Sequence, residues 1–196
     1  MSITYRSGRK EDCSKLAELV YMASDGVVEF LYHDLIPGLK PQQIVAHNLE
    51  KDSGYYSYKN TIVAEDGLKV VGVSFYYHSR YHVIGPEMKA VIPADRIEHL
   101  KHVLSCRVEN SLYLDTLCVD EKCRNKGIGR ELISLTKKIA GEQGLDALSL
   151  MALADNTHAH RLYHRCGFEI VSDVEMKPHE LIPHEGGAYL MCCLLE

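Results

Sequence analysis

The chain reads as a mixed α+β protein, built on a central, mostly antiparallel twisted sheet of about seven strands with helices on both faces. Three observations predict it. Two antiparallel strands come early, a strand-helix-strand-helix unit follows past mid-chain, and a hairpin closes the order. Runs of β-branched and aromatic residues mark the strands, and apolar residues at helical spacing mark the helices. The 196 residues, 46% of them hydrophobic, suffice for one compact domain with its own core, expected to span 1–196.

Ile3 to Arg6 reads as the first strand. Asp12 can cap the helix that follows, in which Leu16, Leu19, Val20 and Ala23 form an apolar stripe. Gly26 interrupts it. A second helical stretch runs from Val27 to Leu35 and stops at Pro37-Gly38, and a third begins near Pro41 with Ile44, Val45 and Leu49 on one side. Thr61 to Ala64 and Val70 to Tyr77 flank Glu65-Asp66-Gly67, whose Asp-Gly step suits a hairpin turn. From His78 to Asn110 the pattern loosens into an insertion, with Ala94 to Leu104 as a short helix. A central strand, Ser111 to Val119, leads through a glycine turn into a helix from Gly127 to about Gly141 that carries Ile128, Leu132, Leu135 and Ile139. A strand at Ala147 to Leu153 and a helix from Asn156 to Cys166 come next. The closing hairpin pairs Phe168 to Val174 with Ala188 to Leu195 across the loop Pro178 to Gly187.

The run Cys123-Arg124-Asn125-Lys126-Gly127-Ile128-Gly129-Arg130 predicts an anion site. Gly127 and Gly129 let backbone N–H groups approach a ligand closely, and the first-turn amides of the helix have no intrahelical partner. The macrodipole adds only about 0.3–1 kcal/mol per charge at an exposed helix start. The grip must therefore come from several converging N–H donors together with Arg124, Lys126 and Arg130. A Rossmann domain fits less well, because its G-x-G-x-x-G follows the first strand whereas these glycines lie past mid-chain.

A second segment, Asn156 to Phe168 (NTHAHRLYHRCGF), follows that turn. Together the two segments resemble the GCN5-related N-acetyltransferase (GNAT) superfamily. Arg124, Gly127 and Gly129 match its first motif, and Asn156, Ala159, Leu162, Tyr163, Gly167 and Phe168 match its second, in the family's order and separation. The resemblance covers about the C-terminal third of the chain well. It implies a GNAT-like acyl-CoA N-acyltransferase fold with acetyl-CoA as the acyl-donor cosubstrate. On that resemblance the backbone of Arg124, Asn125, Lys126, Gly127, Ile128, Gly129 and Arg130 holds the pyrophosphate, and the main chain of Leu117, Cys118 and Val119 pairs with the pantetheine arm. Asn156, Ala159, Leu162 and Tyr163 border the cofactor from the next helix, Asn156 as helix cap, pantetheine donor or both, and the Cys118 N–H meets the thioester carbonyl. The implied activity is acetyl transfer to a primary amine, whether small molecule, peptide N-terminus or lysine, by direct attack in a ternary complex. A sensor or interaction module that binds CoA without turnover is the alternative.

Such chemistry needs an uncharged amine, donors for the developing oxyanion and a proton source for the departing thiolate. The family places a tyrosine close to the cofactor sulfur, which makes Tyr163 the candidate general acid. A phenol with pKa ~10 keeps its proton at neutral pH. The same residue also fits the buried stripe of its helix beside Ala159, Leu162 and Cys166. Asp115 is the candidate base or ammonium anchor, or else a solvated or capping carboxylate, with Glu109 in reserve. Regular pairing sets Asp115 and Tyr113 on one face of the strand and Thr116 and Leu114 on the other. A bulge there, frequent in GNAT proteins, swaps that parity. The Cys118 thiol has no evident paired histidine and reads as structural. The acceptor pocket is expected from Val27 to Pro41, His78 to Asn110 and Pro178 to Gly187, where His78, His82, Tyr76, Tyr77 and Tyr81 either grip a substrate or pack.

Net charge −5 and the lack of a long basic run argue against a nucleic-acid partner. No stretch is apolar enough to span a bilayer and MSITYRSGRKEDC has no apolar signal core, so no membrane association is expected and a cytoplasmic protein is. Seven scattered cysteines read as free thiols. His160 and His164 lie at i, i+4, but two ligands do not close a site and no metal is expected; His158 and His164 belong on the exposed face of their helix. A homodimer, if one forms, is expected through the edge of the closing hairpin.

Overall fold

The computed structural model describes residues 2–195. Its strands are β1 (Ile3–Ser7), β2 (Thr61–Asp66), β3 (Lys69–His78), β4 (Ser111–Val119), β5 (Ala147–Leu153), β6 (Glu169–Val174) and β7 (Ala188–Leu194), in one sheet of order β1-β2-β3-β4-β5-β7-β6. Among the described residues only β4 and β5 pair in parallel. The helices are α1 (Cys13–Ala23), α2 (Val27–Tyr32), α3 (Pro41–Leu49), α4 (Pro86–Val91), α5 (Ala94–His99), α6 (Ile128–Glu142) and α7 (Thr157–Arg165). The predicted order of elements holds except for α4, which forms where the sequence between Gly85-Pro86 and Pro93 reads as extended, Pro86 serving as the first helical residue; the second and fifth helices are shorter than their apolar runs suggest.

Each face of the sheet has its own core because strand residues alternate between faces. Ile128, Leu132 and Ile133 of α6 pack with Leu112, Leu114, Leu148 and Leu150 on one side. Leu16, Leu19 and Val20 of α1 and Val45 and Leu49 of α3 pack with Val63, Val73, Phe75 and Tyr113 on the other. Each such side chain contributes roughly 1.5–3 kcal/mol by leaving water. A third cluster, Phe30, Leu31, Ile92, Ile97 and Leu100, joins α2 to α4 and α5. It makes the insertion a structured roof.

Two local details correct the sequence reading. Asp12 does not cap α1 with its side chain; its carboxylate instead accepts from the Arg9 N–H at 2.7 Å and pairs with Arg6 at 2.7 and 3.0 Å. The β2–β3 turn is Gly67-Leu68 rather than Asp-Gly, because Asp66 still pairs with Lys69, and Gly67 takes the left-handed φ of +64°. Gly26 breaks α1 from α2 for a steric reason. Its φ is +99°, and a Cβ there would lie 2.1 Å from the Leu181 carbonyl oxygen.

Candidate active site

The site begins where two parallel strands part. Ser111 and Ser149 share a hydroxyl hydrogen bond of 2.7 Å, and β4 pairs with β5 from Ser111–Ala147 to Leu114–Leu150 and no further. At that point Phe75 faces Thr116 and Tyr76 faces Leu114, so Asp115 is the extra residue of a bulge on β4. The bulge reverses the pleat. Upstream, Leu112 and Leu114 pack toward α6 and Tyr113 toward α1; downstream, Leu117 and Val119 pack toward α6 and Cys118 toward α1.

Past the bulge the polar groups of alternate residues face the gap. The Asp120 N–H donates to Val71 of β3 at 2.8 Å, while the Val119 carbonyl is turned away from β3 and accepts from Arg124 Nε at 3.1 Å. By alternation the N–H and C=O of Leu117 and Val119 line the gap and those of Cys118 join the β3 ladder. The Cys118 carbonyl indeed lies 3.1 Å from where a Cβ on Gly72 would sit. This corrects the expectation that the Cys118 N–H meets a ligand in the gap; Leu117 presents that amide. Burial pushes the Cys118 thiol up to about 11, which leaves it protonated and unreactive at neutral pH.

At the mouth of the gap, Asn125 (φ +61°) and Gly127 (φ +81°) turn the chain into α6. The first intrahelical bond runs from the Glu131 N–H to the Gly127 carbonyl at 3.1 Å, so the amides of Gly127, Ile128, Gly129 and Arg130 precede the helical ladder. The turn lies against α7, where a Cβ on Gly129 would make ordinary contact with Leu162 at 3.4 Å. Lys126 departs from expectation. Its Nζ reaches the Lys122 carbonyl at 3.3 Å, and the residue is outside the cleft lining.

Helix α7 forms the opposite wall. Asn156 caps it by accepting the Ala159 N–H at 3.1 Å, which leaves its side-chain NH₂ for another acceptor. Tyr163 lines the cleft, and burial, with Cys118 and Cys166 nearby, raises its pKa, so the phenol holds its proton. His160 and His164 face the carbonyls of Leu153 and Phe168 at 2.9 and 3.0 Å, and His158 and His164 are exposed. Among the described residues no three His, Cys, Asp or Glu groups are arranged to hold a metal, all seven cysteines are free, and no helix is long and apolar enough to cross a membrane.

The floor of the cleft is a proton network. Asp115 accepts from the Tyr77 hydroxyl at 2.8 Å and from Thr116 Oγ1 at 3.0 Å. The Tyr77 oxygen also lies 3.2 Å from His82 Nδ1, and His82 Nε2 lies 2.9 Å from the Val103 carbonyl. A carbonyl only accepts, so Nε2 carries a proton and the neutral ring leaves Nδ1 as an acceptor. Tyr77 has one proton for two acceptors. One added proton satisfies every position, on Asp115 or on His82 Nδ1. Solvent reaches Asp115 from the cleft, yet protein crowds its carboxylate closely. That crowding raises its pKa, against the pull of Tyr77, His82 and Thr116, while burial lowers the pKa of His82.

The glycine turn, the gap-facing edge of β4, Asn156 and Tyr163 of the α7 wall, and Asp115 with Tyr77 and His82 border one cleft of about 1250 Å³. It also takes in the other predicted positions, Arg124, Ile128, Ala159 and Leu162 among them, and residues from each of the three segments expected to shape an acceptor pocket. Glu109 is exposed, ion-paired with Arg107 at 2.8 Å, and not part of it. The model of the acetyltransferase (GNAT) family matches residues 40–168. The chain belongs to the GNAT family. It is similar to GCN5-related N-acetyltransferase 7, chloroplastic, of Arabidopsis thaliana, with 37% identity over 57 residues, 29% of this chain and 21% of that one. It is also similar to the D-amino-acid N-acetyltransferase HPA3 of Saccharomyces cerevisiae (strain ATCC 204508 / S288c), with 34% identity over 71 residues, 36% of this chain and 44% of that one. The matches thus span less than half the length of either curated relative. Among solved structures, the PaiA N-acetyltransferase from Thermoplasma acidophilum in complex with coenzyme A superposes with a TM-score of 0.57 at 15% identity over 100% of both chains, a likeness of fold.

Sequence reasoning missed the cleft residues Tyr55 and Tyr56, took in Tyr32 only as part of the segment Val27 to Pro41, and counted Tyr77 both as a strand end and among the aromatic residues of the insertion, whereas it belongs to β3. The available signal was the spacing of Phe75 and Tyr77, two apart and so on the same sheet face as Tyr113 across the strand pair.

Proposed function

We propose that this GNAT protein is an N-acetyltransferase that moves acetyl from acetyl-CoA to a primary amine by direct attack in a ternary complex. The observation that carries this is the polarity of the cleft. Arg124, Arg130, Arg161 and Arg165 and the first amides of α6 gather at one end, where a diphosphate fits, and Asp115 stands at the other, where an ammonium fits. Between them the gap-facing edge of Leu117 and Val119 is shaped for an amide-bearing arm such as pantetheine.

The residues then divide the work. The Leu117 N–H donates to the carbonyl oxygen as it gains charge. Asp115 takes the ammonium proton, and the Tyr77–His82 pair shares it. The amine nitrogen bonds to the acetyl carbon, the carbon–sulfur bond breaks, Tyr163 supplies a proton to the departing thiolate, and the proton that the nitrogen sheds on becoming an amide returns to Tyr163 through solvent in the cleft. Cytoplasmic residence belongs to the same proposal.

An amine panel incubated with acetyl-CoA and read by mass spectrometry tests the reading; a thiol-release dye would react with the chain's own cysteines. At least one amine or peptide should gain an acetyl group. If coenzyme A binds by calorimetry while no member of a broad panel is acetylated, the chain is a CoA-binding module instead. If the folded protein binds no coenzyme A, the whole assignment fails.

A further inference from the structure

The half of the cleft beyond Leu117 has a composition that the acyl donor does not call for. Five phenols, Tyr32, Tyr55, Tyr56, Tyr77 and Tyr113, border it around Asp115; burial raises the pKa of each, and the Asp115 charge adds to every one. Their rings are fixed by packing. Tyr55 meets Tyr77 edge-on at 5.1 Å, Tyr56 meets Phe75 at 4.9 Å, and Tyr113 stacks on His82 at 4.0 Å. Above them the half-buried Val27, Met88, Val103 and Leu104 turn from the third apolar cluster toward the cleft.

Charge around this chamber is one-sided. No lysine lines the cleft among the described residues, and its four arginines all come from the glycine turn and α7. The other lining carboxylates are engaged. Asp155 and Asp25 face His184 at 2.9 and 3.9 Å, and Glu121 lies 3.9 Å from Arg124. Glu87 acts on Tyr55 but is not part of the lining.

We infer that the acceptor is a primary amine on an apolar or aromatic body, with a single positive charge and no carboxylate on the amine-bearing carbon. This rests on the amine-acetylating reading above. An ammonium has three donors, which Asp115 and neighbouring phenol oxygens can accept together. Its body then lies against Val27, Met88 and Leu104, where burial of CH₂ groups is favourable. An α-carboxylate would be held within a few ångströms of Asp115 with no lysine or arginine of this chamber to meet it, and Arg107, which acts on His82 from outside the lining, is ion-paired with Glu109 at 2.8 Å, so like charge and desolvation both oppose an amino acid of either hand. A second ammonium would enter the apolar roof unpaired. The D-amino-acid acceptor in the yeast relative's name therefore does not carry over to this chain.

The decisive comparison is a matched set: phenethylamine, D- and L-phenylalanine, which add only the carboxylate, and spermidine. Acetyl transfer is followed by mass spectrometry, and binding of each amine to the coenzyme A-loaded protein by calorimetry. Phenethylamine should exceed both phenylalanines by at least a hundredfold and spermidine by at least tenfold in kcat/KM, with the same order in affinity. Asp115→Asn should weaken phenethylamine binding at least tenfold; Tyr56→Phe, which removes one hydroxyl, should weaken it severalfold and serves if the first variant is unfolded. Either phenylalanine or spermidine matching phenethylamine would overturn the inference while leaving acetyl transfer intact. Phenethylamine bound in the expected order but not acetylated would support this chamber and refute turnover. Absence of phenethylamine binding would refute the chamber outright.

Discussion

Replacing Tyr77 by Phe tests the floor of the cleft with the least disturbance, since it deletes one oxygen and keeps a ring packed on Tyr55, Phe75 and Tyr113. That oxygen gives Asp115 one of its two donors, at 2.8 Å, and is the only link to His82 Nδ1 among the described residues. A hydrogen bond to a charged group is worth about 1.5–3 kcal/mol, and about 1.4 kcal/mol moves a titration midpoint by one on the pH scale. Solvent reaches the carboxylate from the cleft and screens part of this, so the lower end applies, a rise of about one in pH. The sign follows from the direction of the bond. Tyr77 favours the charged carboxylate, so its loss moves the Asp115 pKa further up from a value that crowding by protein has already raised. The base works deprotonated. The acid limb of the kcat/KM profile should therefore move about one pH unit higher, with roughly tenfold loss below the limb and little loss on the plateau. Rates taken across the range from acid to alkaline pH by quenched mass spectrometry, at saturating acetyl-CoA, read this directly. A uniform fall without a displaced limb would make Tyr77 a packing residue only, and a limb moving to lower pH would refute the network.

Gly129→Glu should abolish coenzyme A binding in calorimetry while the melting temperature holds or rises slightly: its Cβ meets only Leu162 and Val119, at 3.4 and 3.9 Å, and a carboxylate in the first turn of a helix is itself worth about 0.3–1 kcal/mol. Unchanged affinity in a folded variant would contradict the diphosphate site. Tyr163→Phe should lower kcat about a hundredfold with little change in coenzyme A affinity, the loss expected of a general acid; a variant with normal kcat would return Tyr163 to a packing role. Arg6→Gln should cost about 3 kcal/mol in urea unfolding, because Arg6 is largely buried between Asp12 and Glu65 and ties β1 and β2 to the start of α1. Burial works against the Asp12 carboxylate, but the Arg6 and Arg9 bonds hold it below its usual range. Its contribution to stability is present above the unfolded pKa of ~3.9 and lost as pH falls through the lower folded value, so the variant should lose less stability than the parent across that acid window.

The strands and helices were legible because their periods are local properties, and the glycine turn was legible because left-handed backbone at Gly127 leaves few residue types to choose from. What escaped, besides the one short helix Pro86–Val91, was decided across the sheet. Asp115 illustrates this: alternation from Ser111 assigns it a face, but its aim is set by a single unpaired residue between Tyr76–Leu114 and Phe75–Thr116, which no feature of β4 alone reveals. The same bulge determines which amides face the gap. Counting from Ser111 without it puts the polar groups of Leu117 and Cys118 on the wrong edges, and the Cys118 amide, assigned to the thioester on the family resemblance, stands one residue away from the gap-facing Leu117. One inserted residue thus does three things at once. It ends β4–β5 pairing after Leu114, it turns Leu117 and Val119 outward, and it swings Asp115 onto Tyr77. Removing it by deletion would realign all three, so the donor groove and the acceptor base are coupled through backbone register. Distance between the two ends of the cleft does not make them independent, and changes to β3 opposite the bulge, at Phe75 or Tyr76, should disturb donor binding and amine deprotonation together.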